Sequence, residues 1–125
     1  IMLNKIDADE QPVINGDGSQ AYDFIYVEDV GRYNVYAMES NKTDEFYNVG
    51  TGVQTSIREL CNLILDMKNS NLKVKYNPYS EDDARRLVQN RIGCPKKSEK
   101  DLGFIPKYDL KEGLQQLIDW RMENL

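Results

Sequence analysis

The sequence predicts an α/β protein in which short strands alternate with helices. Three observations carry this prediction. β-branched and aromatic residues gather in short runs at Pro12-Val13-Ile14-Asn15, Tyr22 to Val27 and Glu45 to Val49. Apolar residues recur at helical spacing elsewhere, most regularly at Ile57, Leu60, Cys61, Ile64 and Leu65. Turn-forming clusters, Asn15-Gly16-Asp17-Gly18 and Gly50-Thr51-Gly52, punctuate the change from one period to the other. Alternating strand and helix patterns are the mark of α/β organisation.

The elements follow in order. Pro12 to Asn15 reads as a short strand entering the Gly16-Asp17-Gly18 turn, and Tyr22 to Val27 as the next strand. Glu28 and Asp29 then put negative charge at a helix start, where the dipole favours it. That helix is expected to run to about Ser40, with Val30, Tyr33 and Ala37 inward. Glu45 to Val49 reads as a strand closed by Gly50-Thr51-Gly52. Ser56 and Glu59 form a capping box that opens the clearest helix of the chain. Leu72 to Tyr76 alternates like a half-exposed strand before Asn77-Pro78. Residues 79–83 read as an acidic loop and Arg85 to Gln89 as a short strand. A helix over Lys96 to Leu102 ends at Gly103, a natural C-cap. Its run Lys96-Lys97-Ser98-Glu99-Lys100 reads as a solvated face. Asp109 and Glu112 cap the last helix, with Leu110, Leu114, Leu117, Ile118 and Leu125 along one face. Phe104, Tyr108 and Trp120 are expected to pack that helix against the body.

The 125 residues fit one domain over 1–125, and 40% apolar against 30% charged residues describe a globular chain. A net charge of −5 argues against nucleic acid as a partner, because phosphates require a basic footprint. No apolar run approaches the roughly 20 residues needed to cross a bilayer, so a membrane is not expected either. Histidine is absent, which removes the commonest general base and the commonest zinc ligand. Cys61 and Cys94 lie far apart and form no C-x-x-C pair, which fits a reducing, cytoplasmic setting with Cys61 in the core. A thiol or metal protein is accordingly a poor reading. The abrupt opening Ile1-Met2-Leu3-Asn4-Lys5-Ile6 resembles a helix already under way and suggests truncation at the N-terminus.

The run Gly16-Asp17-Gly18-Ser19-Gln20-Ala21-Tyr22-Asp23-Phe24-Ile25-Tyr26-Val27-Glu28-Asp29-Val30 resembles the G-D-G-x-Q-x-R-D-F-I-Y-V-x-D-V phrase of one family. That family is the extended short-chain dehydrogenases acting on nucleotide sugars. Phe46-Tyr47-Asn48-Val49-Gly50-Thr51-Gly52 is similar to its F-Y-N-V-G-T-G strand and turn. Glu99 to Pro106 is similar to its L-G-F/W-x-P element, and Leu110 through Trp120 to its closing helix. The resemblance implies the C-terminal, substrate-binding part of an NAD-dependent nucleotide-sugar epimerase or dehydratase, of the UDP-glucose 4-epimerase type, with the Rossmann core absent. The cofactor fingerprint and catalytic Tyr-x-x-x-Lys, which the family carries earlier, are not in this sequence. The resemblance therefore implies NAD only in an intact parent, with no catalytic, cofactor or metal residue here. Gly50-Thr51-Gly52 departs from a dinucleotide loop, because G-x-G-x-x-G would need glycine where Thr55 stands. A turn between strand and helix is the simpler reading.

The resemblance also implies site residues. The loop around Gly16 and the strand after it would line the nucleotide end of the substrate, with Val13 and Ile14 contacting the base through their backbone and Gln20 nearby. The family arginine that grips the diphosphate stands where this chain has Tyr22. A phenol offers one hydrogen bond and no bidentate fork, so Tyr22 either contacts substrate differently or packs. Glu81-Asp82-Asp83-Ala84-Arg85-Arg86 is similar to a D-D-P phrase followed by arginines in some nucleotide-sugar decarboxylases and epimerases. Asp83, Arg85 and Arg86 are thereby candidates for the late substrate loop. The plainer reading is that these arginines neutralise surface acids. A UDP-sugar is the expected ligand. The chain alone is expected to be inactive, because it would supply neither catalytic base nor cofactor loop. The edge at Phe46 to Val49 and the apolar face of Ile57 to Leu65 are expected to lack partners, favouring self-association or docking to the missing Rossmann domain. The competing reading is a non-catalytic α/β module for binding or assembly.

Overall fold

The computed structural model describes residues 1–124, apart from the side chain of Asp83. It divides into two compact units, one of Ile1–Tyr22 with Thr55–Arg91 and one of Asp23–Gln54 with Ile92–Leu125.

The first unit is built on two small sheets. Its elements are α1 (Met2–Asp7), β1 (Val13–Asn15), β2 (Ala21–Tyr22), β3 (Thr55–Ser56), α3 (Ile57–Met67), β4 (Lys75–Asn77), α4 (Glu81–Arg86) and β5 (Asn90–Arg91), with α2 left to the other unit. β1 runs parallel to β4 in the register Val13↔Lys75, Ile14↔Tyr76, Asn15↔Asn77. Backbone bonds from Lys75 N to Pro12 O (2.9 Å) and from Gly16 N to Asn77 O (2.7 Å) extend that ladder at both ends. β2 lies between β3, antiparallel, and β5, parallel. The capping box forms as its sequence pattern predicts. Glu59 N donates to Ser56 Oγ at 3.1 Å, and Ser56 N donates to Glu59 Oε2 at 2.7 Å. α1 packs against α3, with Leu3, Ile6, Cys61, Ile64 and Leu65 all buried, and Lys68 pairs with Asp7 at 2.9 Å. The inner face of α3 is therefore covered within its own unit, contrary to the expectation that it would lack a partner. Cys61 and Cys94 are free thiols, Cys61 buried and Cys94 exposed. Burial pushes the Cys61 thiol pKa up.

The second unit comprises α2 (Val27–Glu39), α5 (Lys96–Leu102) and α6 (Leu110–Asn124) with the segments between them. Its core holds Tyr33, Phe104, Leu114 and Ile118. The Tyr33 and Phe104 rings meet edge to face, 5.2 Å between centroids. Gly103 closes α5 at φ 67°, in the left-handed region where a Cβ is costly. Asp109 and Glu112 exchange the reciprocal bonds of a cap at the start of α6, 2.9 and 2.8 Å long.

Several expectations are corrected. The strand over Tyr22 to Val27 shrinks to Ala21–Tyr22, because α2 claims Val27 and the ladders to β3 and β5 reach only Ala21 and Tyr22. The stretch 79–89 contains a helix, Glu81–Arg86, where an acidic loop and then a strand were expected; Glu81 and Arg85 stand one helical turn apart and pair across it. Glu45 to Val49 forms no strand, because no ladder partner reaches it among the described residues. Leu117 and Trp120 are 39% and 57% exposed, so that face of α6 ends at Leu114 and Ile118. Leu125 lies outside the described residues.

Candidate functional site

The residues that the sequence singled out gather in the first unit. Ile14 is buried at 1% exposure on β1, and Val13 is half-buried beside it. The chain then turns through Gly16 and Gly18, both at positive φ (77° and 74°), which residues with a Cβ adopt at a cost. Gly16 has a second reason to be glycine. A Cβ there would stand 2.0 Å from Cε2 of Tyr79, whose ring lies against the loop.

The loop is tied down on its other side. Arg58, on α3, donates from Nε (3.1 Å) and from Nη2 (2.5 Å) to the carbonyl of Asp17. Its backbone N donates to Gly18 O at 3.0 Å, and Gln20 Nε2 donates to Asn15 O at 3.3 Å. Ser19 N donates to Asp17 Oδ1 at 2.9 Å. Hydrogen bonds from Ser19 first, and the Arg58 charge after them, hold the Asp17 carboxyl below its ordinary pKa. Beside this loop lies an open depression of about 500 Å³ lined by Gly16, Asp17, Arg58, Tyr76, Asn77 and Pro78.

The other candidates are arranged around it in sequence rather than in the depression. Gln20 is buried and serves the loop backbone through the bond just given. The Tyr22 hydroxyl donates to Val88 O at 3.2 Å, so the phenol meets backbone within its own unit. Arg85 and Arg86 are exposed on α4, with Arg85 Nη2 3.8 Å from Glu81 Oε2. Asp83 belongs to the same helix, and its side chain lies outside the described residues.

Two carboxylates organise the second unit. Asp29 is fully buried at the start of α2 and accepts from Lys107 N and Tyr108 N at 3.0 Å each, and from Arg32 Nη1 at 2.5 Å. Burial opposes its charge, yet the two amides and Arg32 outweigh it and hold the carboxyl below the usual range. Glu28, exposed beside it, accepts from the Tyr108 hydroxyl at 2.9 Å. Both carboxylates are thus engaged by Tyr108, Asp29 through its backbone amide and Glu28 through its hydroxyl. Asp23 accepts from Thr51 N (3.0 Å), Thr51 Oγ1 (2.6 Å), Gly52 N (2.9 Å) and Gly93 N (3.3 Å). It thereby shapes the Gly50-Thr51-Gly52 turn, whose Thr51 and Gly52 amides are committed to a side chain of this chain. No group of three or more potential metal-ligating side chains occurs among the described residues. No helix there is long and apolar enough to cross a membrane.

Sequence reasoning missed Arg58, Asp23, Tyr76 and Asn77. Arg58 reads as an ordinary exposed helix residue, since its acceptor lies 41 positions away. Asp23 was visible only as part of the family phrase, and its partners are 28 and 70 positions distant.

The family model for GDP-mannose 4,6 dehydratase matches residues 1–117. The chain belongs to this family. Among curated relatives, a Methanocaldococcus jannaschii protein provisionally named a UDP-glucose 4-epimerase is 35% identical over 124 residues, 99% of this chain and 38% of that protein. The solved UDP-glucose 4-epimerase of Thermotoga maritima, crystallised with UDP-glucose, superposes with a TM-score of 0.89 at 30% identity. That match covers 98% of this chain and 38% of the other. The Bacillus cereus UDP-glucuronic acid 4-epimerase, solved with NAD, shares the fold at TM-score 0.82 and 22% identity, over 98% of this chain and 38% of that one. The chain thus spans about 38% of the length of the relatives it matches. It is related to nucleotide-sugar epimerases and dehydratases and shares the α/β architecture of part of an extended short-chain dehydrogenase.

Proposed function

We propose that this chain forms the nucleotide-facing side of the substrate pocket in an NAD-dependent nucleotide-sugar epimerase or dehydratase, with a UDP-sugar as ligand. The observation that carries the reading is the Gly16-Asp17-Gly18 loop. It follows β1, whose Ile14 is buried, is locked from two sides, and borders a depression large enough for a base and ribose. Val13 and Ile14 lead into this loop on β1, and Gln20 holds the loop by its bond to the Asn15 carbonyl.

In such an enzyme, bound NAD would supply the redox chemistry: it would accept the hydride from a sugar carbinol carbon as the hydroxyl proton passes to a base, and would later return a hydride to the resulting ketone. This chain has no Tyr-x-x-x-Lys, and its Gly50-Thr51-Gly52 turn is occupied by Asp23. Its part is to bind and orient. The cofactor loop and catalytic base belong to the remainder of a longer protein. Arg85 and Arg86, on the exposed face of α4, are the candidates for a diphosphate approached from that side.

The segment Glu45 to Val49 supports a docking role in the same protein. Lys97 Nζ binds Glu45 Oε2 at 2.5 Å, Ser98 Oγ donates to Asn48 O at 3.2 Å and the Tyr47 hydroxyl donates to Asp101 at 3.4 Å. Phe46, held between these ties, is 94% exposed and has no strand beside it. Docking to a Rossmann sheet, or to a second copy when that sheet is absent, would cover it.

The test is a titration of the full 125-residue chain with UDP-glucose and, separately, with NAD, followed by an assay for UDP-galactose. Binding of UDP-glucose without turnover supports the reading. Turnover by this chain with added NAD would contradict the division of labour. Absence of UDP-glucose binding, with self-association intact, would favour the assembly module.

A further inference from the structure

We infer that Arg58 is a positioning residue for nucleotide binding, which acts by locking the Gly16–Gly18 loop and does not serve as a counter-ion for phosphate. The inference rests on the proposed function above. An exposed guanidinium on the wall of a depression invites the counter-ion reading, since arginine is the usual partner of phosphate. The geometry points elsewhere. Both Nε and Nη2 converge on a single backbone carbonyl, that of Asp17. The Arg58 charge is set beside the Asp17 carboxylate and helps to keep it ionised. Together they leave the wall close to neutral, which suits a base and ribose better than a diphosphate.

A lock is needed here because of the loop's own chemistry. Gly16 and Gly18 flank one residue, and glycine surrenders more conformational freedom on ordering than any other residue. A free loop would have to be ordered each time a ligand bound, and that cost would weaken affinity. Arg58 meets the loop at three points: the two donors to Asp17 O, the backbone bond to Gly18 O, and a close approach at Gly18. A Cβ at Gly18 would stand 3.1 Å from Cβ of Arg58. The stem of Arg58 and the α3 backbone thus form the surface on which the loop rests. The guanidinium fixes its middle residue.

The test uses the full chain with three side chains at position 58 and two probes, uridine and UDP, titrated by calorimetry or ligand-observed NMR. Arg58→Met keeps the stem and removes the donors; Arg58→Lys keeps the charge and removes the two-pronged grip. The lock predicts that both variants lose affinity for uridine and UDP by the same factor, about tenfold, the scale of ordering one further backbone residue. It also predicts faster amide exchange at Gly18 and Ser19 in both variants without ligand. Loss confined to UDP, with Arg58→Lys resembling wild type, overturns the lock in favour of a counter-ion. Faster loop exchange with unchanged affinities overturns it as well, since the lock would then be irrelevant to binding. Wild-type chain that binds neither probe removes the nucleotide-sugar reading and this inference with it, whereas the preceding outcomes remove this inference alone.

Discussion

The two compact units hold their backbones in different ways. The first uses sheet ladders, β1 on β4 and β2 between β3 and β5. The second has no strand among its described residues and instead anchors remote segments with carboxylates. Asp29 fixes the chain at Lys107 and Tyr108, and Asp23 fixes it at Thr51, Gly52 and Gly93. The difference is clearest in two β-prone segments. Val13–Asn15 becomes a strand because Lys75–Asn77 lies alongside, while Glu45 to Val49 stays unpaired and is tied down by Lys97, Ser98 and Asp101. Strand-forming residues make a strand only where a partner is present to receive the ladder. A unit held by ladders also differs in its response to pH from one held by carboxylates.

The largest expected effect is that of Asp29→Ala. It leaves the part-buried amides of Lys107 and Tyr108 and the Arg32 charge without their acceptor, and should destabilise the second unit by about 3 kcal/mol. A urea midpoint unchanged within error would sink the idea that this carboxylate organises the unit. Acid should act on the same group. The folded-state pKa of Asp29 lies below its unfolded value, so its contribution is present above about pH 3.9 and is lost as pH falls through the folded pKa. Amide exchange at Lys107 and Tyr108 should rise sharply in that acid range, ahead of exchange at the β1–β4 ladder. Simultaneous loss of both would erase the contrast between the units.

Asp23→Ala should cost less, about 1–3 kcal/mol, because its acceptors serve partly exposed amides. Its signature would be local: altered chemical shifts at Thr51, Gly52 and Gly93 with the first unit unaffected. In that first unit, Gly16→Ala should cost about 1–2 kcal/mol for the left-handed backbone alone, with the Tyr79 ring displaced besides. Its ladder bonds should survive, so nucleotide affinity should fall more than the thermal midpoint. The smallest change expected is Ser56→Ala, about 1 kcal/mol for a lost helix cap. A null result in thermal melts of that variant would mean the capping box contributes little in this context.

Features whose partners are close in sequence were legible before the structure. Ser56 with Glu59, Asp109 with Glu112, and Gly103 as a C-cap all involve residues within four positions, and each forms as read. Asp29 was only half legible. Its place at a helix start was evident, but its acceptor role depends on amides 78 and 79 positions away. Leu117 fits an apolar stripe by its spacing and Trp120 is an aromatic expected to pack, yet neither spacing nor residue type says how wide a face the rest of the chain covers. The candidate site shows the same limit. Motif residues from Val13 to Tyr22 were named from the sequence, whereas Arg58, Tyr76 and Asn77 reach the loop only through the pairing of β1 with β4 and the start of α3.

The central claim is that the loop beside β1 receives the nucleotide of a sugar nucleotide. A calorimetric titration of UDP into the full chain, repeated with Gly16→Ala, tests it most directly. The account predicts saturable binding by the wild type and markedly weaker binding by the variant while both remain folded. Equal binding by the two would place the nucleotide away from this loop and contradict the account.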